Sequence, residues 1–558
     1  MDYYVKNEDE LRAALEEAEN TADSVRIYLE AERIFLSKPV VFNRSDITVI
    51  GKNTVISGAK RIYLESDNKC VIDLKKYGIT KFSELSEGPF KDFWVDYEIP
   101  KPYMCEYGMG TEIFYEDMPL PIARYPKKGF MQVDKVFGKT EKFCPLGKFE
   151  GYLEGVISLK DEKFWKWDNK EDIIFVGYWM YDWALQRQRI ESIDEKNKTI
   201  TLKQPFHYFG YKDNANLYVI NVKSEVTERG DWYLDRKNGL LYIYPLRTQK
   251  YIDVSIVKNI FEANNQTNIK IENVILEKCC ETGIIFQNCI NTEVKDCVIK
   301  NTGAWGAISE NCAKAVYDNV TVYQTGGGGI SVSGGDRNTL KSSENVIKNC
   351  TVWENARWHR TYLPALQVCG VGGIASGNKI YDVPHFGIVF HGNNHIIEKN
   401  EISNACYESN DAGAIYSGKD WSCRGNIIRE NYFHDIKGFK NKGCVAVYFD
   451  DAMSSAEVYS NIFVNITGTG VLIGGGRDFY VHDNIFFNVK NTVTVDDRLD
   501  NWGKPSIPIM INRLNAVDYK NDIWKKAYPK LYNILESNYH LPENNIIMNN
   551  TVISKDKK

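Results

Sequence analysis

From Ile252 onward the chain repeats one short pattern: a polar residue, a run of three mostly apolar residues, a turn, and a second apolar run. Aligned on the polar residue that opens the first run, the repeats begin at Asn273, Asp296, Asn319, Asn349, Asn378, Asn400, Asn431, Asn461 and Asn484. Their spacings are 23, 23, 30, 29, 22, 31, 30 and 23, a base period of 22–23 with loops of 7–8 residues added, as in a solenoid. The second run is the series GIIF, GAIS, GISV, ALQV, GIVF, GAIY, VAVY and GVLI. At least two β runs per coil, with Asn and Gly at the turns, predict a parallel β-helix rather than helical or leucine-rich repeats. The nine openers are expected at turns, each side chain bonding the next coil in a ladder.

The rest of the chain departs from this pattern in three places. Residues 1–20 read as a short strand (YYV) and an amphipathic helix with Leu11, Ala14 and Leu15 on one face, a cap for the open end of the stack. Short β runs follow (VRIYLEA, KPVVF, ITVIG, TVISG), so 1–81 holds the cap and first coils. Over 82–246 the repeat stops and aromatics crowd in: FWVDY, FWKW, VGYWMYDW and DWYLDRKNGLLYIYP. KNG at 237–239 is a hairpin turn between two strand-like runs, and the region reads as an inserted antiparallel β domain, a sandwich or barrel. The β-helix proper is assigned to 247–512. Over 513–558 a helical excursion split by Pro529 precedes one last coil, NNIIMNNTVIS.

Composition narrows the function. A net charge of −5 argues against a nucleic-acid surface. No apolar run approaches the ~20 residues that span a bilayer. The 13 Cys form no CxxC pair, which with the absence of a basic, apolar leader predicts a reducing, cytoplasmic setting. The aromatic share of 13% is high; aromatics fill cores and also stack on sugar rings.

Stacked coils lie ~4.8 Å apart, so the residues that end successive second runs form one stripe. Those endings are His391-Gly392-Asn393, Ser417-Gly418-Lys419-Asp420, Asp450-Asp451, Gly474-Gly475-Gly476-Arg477 and Asp496-Asp497-Arg498. Acidic residues flank a glycine floor on which a ligand could lie. Asp450 and Asp496 would be two coils, ~9–10 Å, apart, within reach of paired-carboxylate chemistry. By strand parity Val445, Val447 and Phe449 face inward, and Ala446, Tyr448 and Asp450 outward. The alternative for the Asp pair is a solvated turn or a salt bridge to Arg477 or Arg498. Asp411 precedes its strand in NDAGA, a sequence equally suited to a turn. Glu408, Tyr416, Asp420, Trp421, His391, Tyr448, Arg477 and Asp496 are the candidate sugar contacts around it. His385, His391 and His395 match no zinc spacing, and neither a metal nor another cofactor is expected.

These segments together resemble the right-handed parallel β-helix glycoside hydrolases with an inserted β domain, most closely the group around glycoside hydrolase family 141. The resemblance rests on YYV...ELRAAL, ISGAK, IARYPKKGF (122–130), GDWYLDRKNGLLYIYP (230–245), YDVPHFGIVFHGNNHIIEKNEI (381–402), NDAGAIYSGKDWSCRGNIIRENYFHD (410–435) and VYFDD (447–451). It implies an all-β fold and hydrolysis of fucosides, xylosides or galactosides in plant or host glycans. It further implies Asp or Glu pairs one coil apart, here Asp411 with Asp450 or Asp451. The register raises a conflict: Asp411 opens a strand and Asp450 closes the next one, ~15 Å away along an extended chain. Asp420 and Asp496 are the partners that the register favours. Two other uses of such a solenoid stay open: a polysaccharide lyase or uronate epimerase working through Lys419, Arg424, Arg477 or Arg498, and a glycan-binding scaffold without catalysis.

Overall fold

The computed structural model describes residues 1–82, 110–144, 147–168, 170 and 172–554. The FWVDY run at 93–97 lies outside the described residues. Among the described residues, thirty-two strands are joined by parallel pairing into a β-helix. Each mature coil carries three strands, one more than the minimum read from the repeat. Ile374–Ser376, Lys379–Val383 and Ile388–Asn393 stack on Ile396–Glu398, Glu401–Ala405 and Gly413–Gly418 of the next coil.

Apolar residues at alternate positions point into the coil. They stack on their counterparts: the rings of Phe433, Phe463 and Phe486 lie 4.8 and 4.7 Å apart, one per coil. The helix Glu8–Ala18, N-capped by Asn7, lays Leu11, Ala14 and Ala18 over this core and covers its first coil.

The asparagine ladder is real but shorter and differently placed than the nine openers suggest. Asn378, Asn400, Asn431, Asn461, Asn484 and Asn550 bond in series. Asn431, for example, donates its backbone N–H and its amide to the Asn461 side-chain oxygen, and its own side-chain oxygen accepts two bonds from Asn400. Asn273, Asp296, Asn319 and Asn349 are instead left-handed turn residues one position earlier in the coil, with φ of 51–54°. In those coils Val274, Cys297, Val320 and Cys350 fill the ladder column, packed in the apolar core. The two halves of the repeat are thus offset by one residue. Asn431→Ala removes a buried amide and strands the groups bonded to it on Asn400 and Ile397. Its expected cost is about 2–4 kcal/mol, measured by denaturant unfolding.

Among the described residues, the sheets outside the solenoid are antiparallel. Eight strands between Arg124 and Ile220 form one sheet. Ala59–Tyr63, Ile113–Tyr115, Met118–Pro119 and Tyr251–Ser255 form a second. Trp232–Asp235 and Leu240–Ile243 form the hairpin read from KNG, and Cys70–Asp73 joins it. Trp167, Trp179 and Trp232 are core residues here. The helices Ile507–Asn515, Asp522–Ala527 and Pro529–Tyr532 pack on one flank of the solenoid around Trp421, Leu499 and Trp524. The strands Ile546–Met548 and Thr551–Ile553 then add the final coil.

Candidate active site

The stripe has the register read from the sequence. Gly418 pairs with Asp450, and Gly474 with Asp496, so Asp450 and Asp496 stand two coils apart with Gly474 between. Val447 and Phe449 belong to the interior core, while Tyr448 and Asp450 project outward into a cluster of polar groups. Ala446, expected outward, is also buried in that core cluster, and Val445, expected inward, is not part of it.

Arg498 occupies the centre of that cluster. Its side chain folds back over Gly474, where a Cβ would come within 2.3 Å of the guanidinium carbon. The glycine therefore makes room for an arginine, and the expected open floor at 474–476 is filled by protein: a Cβ at Gly476 would likewise strike the Met453 carbonyl at 2.1 Å. Arg498 donates to Asp496 through Nε and Nη2 at 2.9 and 2.6 Å, and to Asp450 Oδ1 through Nη1. Nη1 also reaches the Tyr448 hydroxyl at 3.3 Å.

The conflict over Asp411 is resolved by side-chain reach. Asp411 sits in a left-handed turn at φ 54° just before its strand. Tyr448, one coil on, donates its hydroxyl to Asp411 Oδ1 at 3.0 Å. Asp411, Tyr448, Arg498 and Asp450 are thus linked by three consecutive hydrogen bonds. At roughly 3 Å per bond, the two carboxylates lie at most roughly 9 Å apart. The estimate of ~15 Å followed the backbone alone.

Asp450 accepts from the Tyr416 hydroxyl at 2.8 Å and from the Asp451 amide at 2.8 Å. Burial, and then the neighbouring Asp451 charge, push its carboxyl up to about 7, against the pull of Arg498. Desolvation by the surrounding protein also raises Asp411 from its ordinary value, although the residue keeps exposed surface, opposed by the Tyr448 hydroxyl and Arg498. Asp451 begins the turn at φ 41°, 3.0 Å from the Lys419 ammonium. Asp411, Tyr416, Tyr448, Asp450, Asp451 and Asp496 therefore come together.

Other expected contacts do not join them. Trp421 is fully buried under the C-terminal helices, so it offers no face to a sugar. Arg477 is spent on Ser537, the Asn538 carbonyl and Glu543 of the segment that follows those helices. Asp420 is fully buried, accepting from the Ser422 amide at 2.8 Å and lying 3.6 Å from Arg337. Burial acts to raise its pKa, but Arg337 and His391 hold it well below the usual range. Glu408 accepts from Tyr178 of the antiparallel region at 2.8 Å and from Arg360, whose charge outweighs the effect of burial and keeps it low. It ties the two regions together.

His391 Nε2 lies 2.9 Å from Asp420 Oδ2, and burial lowers its pKa to about 4 despite that carboxylate. With Cys423 these residues bring three potential ligand atoms within 4.8 Å. The Arg337 cation beside Asp420 already meets the negative charge that a metal would need.

Sequence reasoning assigned no role to Trp502. Its indole is 47% exposed and lies 5.1 Å from the Arg498 guanidinium, at the edge of the cluster. The signal was a lone Trp four residues after the Asp-Asp-Arg run.

No protein-family model matches this sequence, and no curated protein matches it. Among solved structures, one titled glycoside hydrolase matches 92% of this chain and 95% of its own, with a TM-score of 0.62 and 13% identity. The complex of XylC with xylose is aligned over all of this chain and 86% of its own, at TM-score 0.41 and 11% identity. A Yersinia enterocolitica family 28 exopolygalacturonase is aligned over 89% and 76%, at TM-score 0.32 and 10% identity. The first of these likenesses shows a shared fold, the parallel β-helix.

Proposed function

We infer that the protein is a glycoside hydrolase, with Asp450 as the general acid and Asp411 as its partner carboxylate. The observation that carries this reading is the Asp450 carboxyl. It is held near neutrality by burial and by Asp451, and a second raised carboxylate lies within roughly 9 Å. That combination suits protonation of a glycosidic oxygen by one group and activation of water, or attack at the anomeric carbon, by the other. Tyr448 and Arg498 position both. Lys419 balances Asp451, and Asp496 balances Arg498.

The resemblance to the group around family 141 supports a fucoside, xyloside or galactoside in plant or host glycans as substrate. A lyase or epimerase would need a cation for the uronate carboxylate. Arg477 and Arg424 are held by Glu543 and Asp478, and Arg498 by Asp450 and Asp496, so this reading gains no support.

The test is a screen of nitrophenyl glycosides and oligosaccharides, with the product anomer read by NMR. Hydrolysis that survives in both Asp411→Asn and Asp450→Asn would end the proposal. Gly474→Ala pushes a methyl into the Arg498 guanidinium, and kcat/KM is expected to fall about 100-fold in a protein that stays folded by circular dichroism. Trp502→Ala removes an exposed stacking face. It should raise KM severalfold, through about 1 kcal/mol of lost contact, with kcat nearly unchanged in initial-rate measurements.

A further inference from the structure

A groove of about 830 Å³ lies between the antiparallel region and the 438–442 loop of the β-helix, and none of its lining residues belongs to the carboxylate cluster. Phe130 stands on one wall and Phe439 on the other, their ring centroids 6.5 Å apart and edge to face. Gln132 and Asn216 line the antiparallel side, Gln132 donating to the Asn216 side-chain oxygen and accepting from Lys160. Lys160 and Lys440 are matched by Asp161 and Glu162, so the lining carries no excess charge. The loop is fastened to the site: the Phe439 amide donates to the Ser409 carbonyl at 3.1 Å, two residues before Asp411. The opposite wall is fastened as well, since Phe130 packs on Tyr178, which holds Glu408.

Aromatic faces suit the C–H surfaces of pyranose rings, and amides suit their hydroxyl edges. An open cleft of this volume has room for several sugar rings. Balanced charge favours a neutral chain over a polyuronate. We propose that this groove is a remote glycan-binding site that holds the neutral sugar chain extending from the bond being cleaved. The protein would then act on oligosaccharides or polysaccharides in preference to single glycosides. The choice of ligand class rests on the glycosidase reading of the carboxylate cluster; the groove itself does not.

The test uses Phe439→Ala and Phe439→Tyr in the full chain. Calorimetric titration with xylohexaose, β-1,4-galactohexaose and hexagalacturonate reads binding, and a nitrophenyl glycoside reads basal turnover. For the neutral hexasaccharide that the wild type binds, Phe439→Ala should weaken binding about tenfold. Phe439→Tyr should restore it, and aryl glycoside turnover should stay within about twofold in both. Unchanged hexasaccharide binding in Phe439→Ala overturns the proposal, as does failure of the wild type to bind either neutral chain. Tighter binding of hexagalacturonate than of the neutral chains overturns the assigned class, and loss of aryl glycoside turnover places Phe439 in the reaction site instead. If binding falls as expected but no glycoside is cleaved, the groove stands and the catalytic reading fails. If glycosides are cleaved and binding is indifferent to Phe439, the reverse holds.

Discussion

Asp450→Asn should lose about 10²–10⁴-fold in kcat, the range for removal of a positioned general acid. Asn matches the shape of the protonated carboxyl but has no acidic proton to give to a leaving group. The wild-type pH profile carries the same information. An acid with a pKa of about 7 is competent below that value and loses its proton above it, so activity should fall as pH rises through about 7. Stability should move in step. An unfolded Asp ionises near ~3.9, whereas folded Asp450 holds its proton to about 7, so the folded state binds more protons across that window. Wild-type stability therefore drops as pH rises from about 4 to about 7, and Asp450→Asn removes that component. The variant should gain in melting temperature over wild type between pH 5 and pH 8 while remaining inactive. A variant that is inactive only because it is unfolded, or one that stays active, would contradict the assignment.

Arg498→Met should be the most destabilising single change at the site. The guanidinium is 4% exposed and holds both Asp450 and Asp496, with Asp496 as its charged partner. Removing one member of a buried ionic group leaves the other charges uncompensated, at about 3–5 kcal/mol. Denaturant unfolding at pH 7 measures this. Arg498 also works to lower the Asp450 pKa, so whatever activity survives should extend to higher pH in the variant. Adding Asp450→Asn should recover part of the lost stability only at a pH above the further-raised Asp450 pKa, where that carboxylate is ionised and stranded. Additive losses in the double variant would mean that the two side chains act independently, against the observed contact.

The parts of the molecule legible in the sequence were those fixed by strand periodicity. An alternation of two sets which face a side chain takes, so the outward placement of Tyr448 and Asp450 and the stacking of Asp450, Gly474 and Asp496 could be read from residue types alone. Parity says nothing about how far a side chain travels. Tyr448 reaches back along its strand to Asp411, and Arg498 folds over the coil beneath, so the link between the two carboxylates could not be seen in the residue order. The misplacements of Trp421, Arg477 and Asp420 share one cause. Each lies beneath or beside the C-terminal helical excursion or its Arg337 anchor, and the segment was recognised as helical with nothing in its pattern to say where it docks. The off-by-one in the asparagine ladder has a different origin. Both the turn position and the ladder position accept Asn, and only the left-handed φ at Asn349 against the buried bonds of Asn378 tells them apart.

The carboxylates sit on separate coils, and this has a consequence for how such a site can change. Strand stacking sets the rise from one coil to the next at ~4.8 Å, and no local substitution alters it. Distances between catalytic groups along the axis therefore come in whole steps, trimmed only by the reach of each side chain. Water-admitting and covalent mechanisms need different carboxylate separations. Switching between them on this scaffold would require an acid to move to another rung, so stereochemical outcome is inherited with the coil numbering rather than tuned.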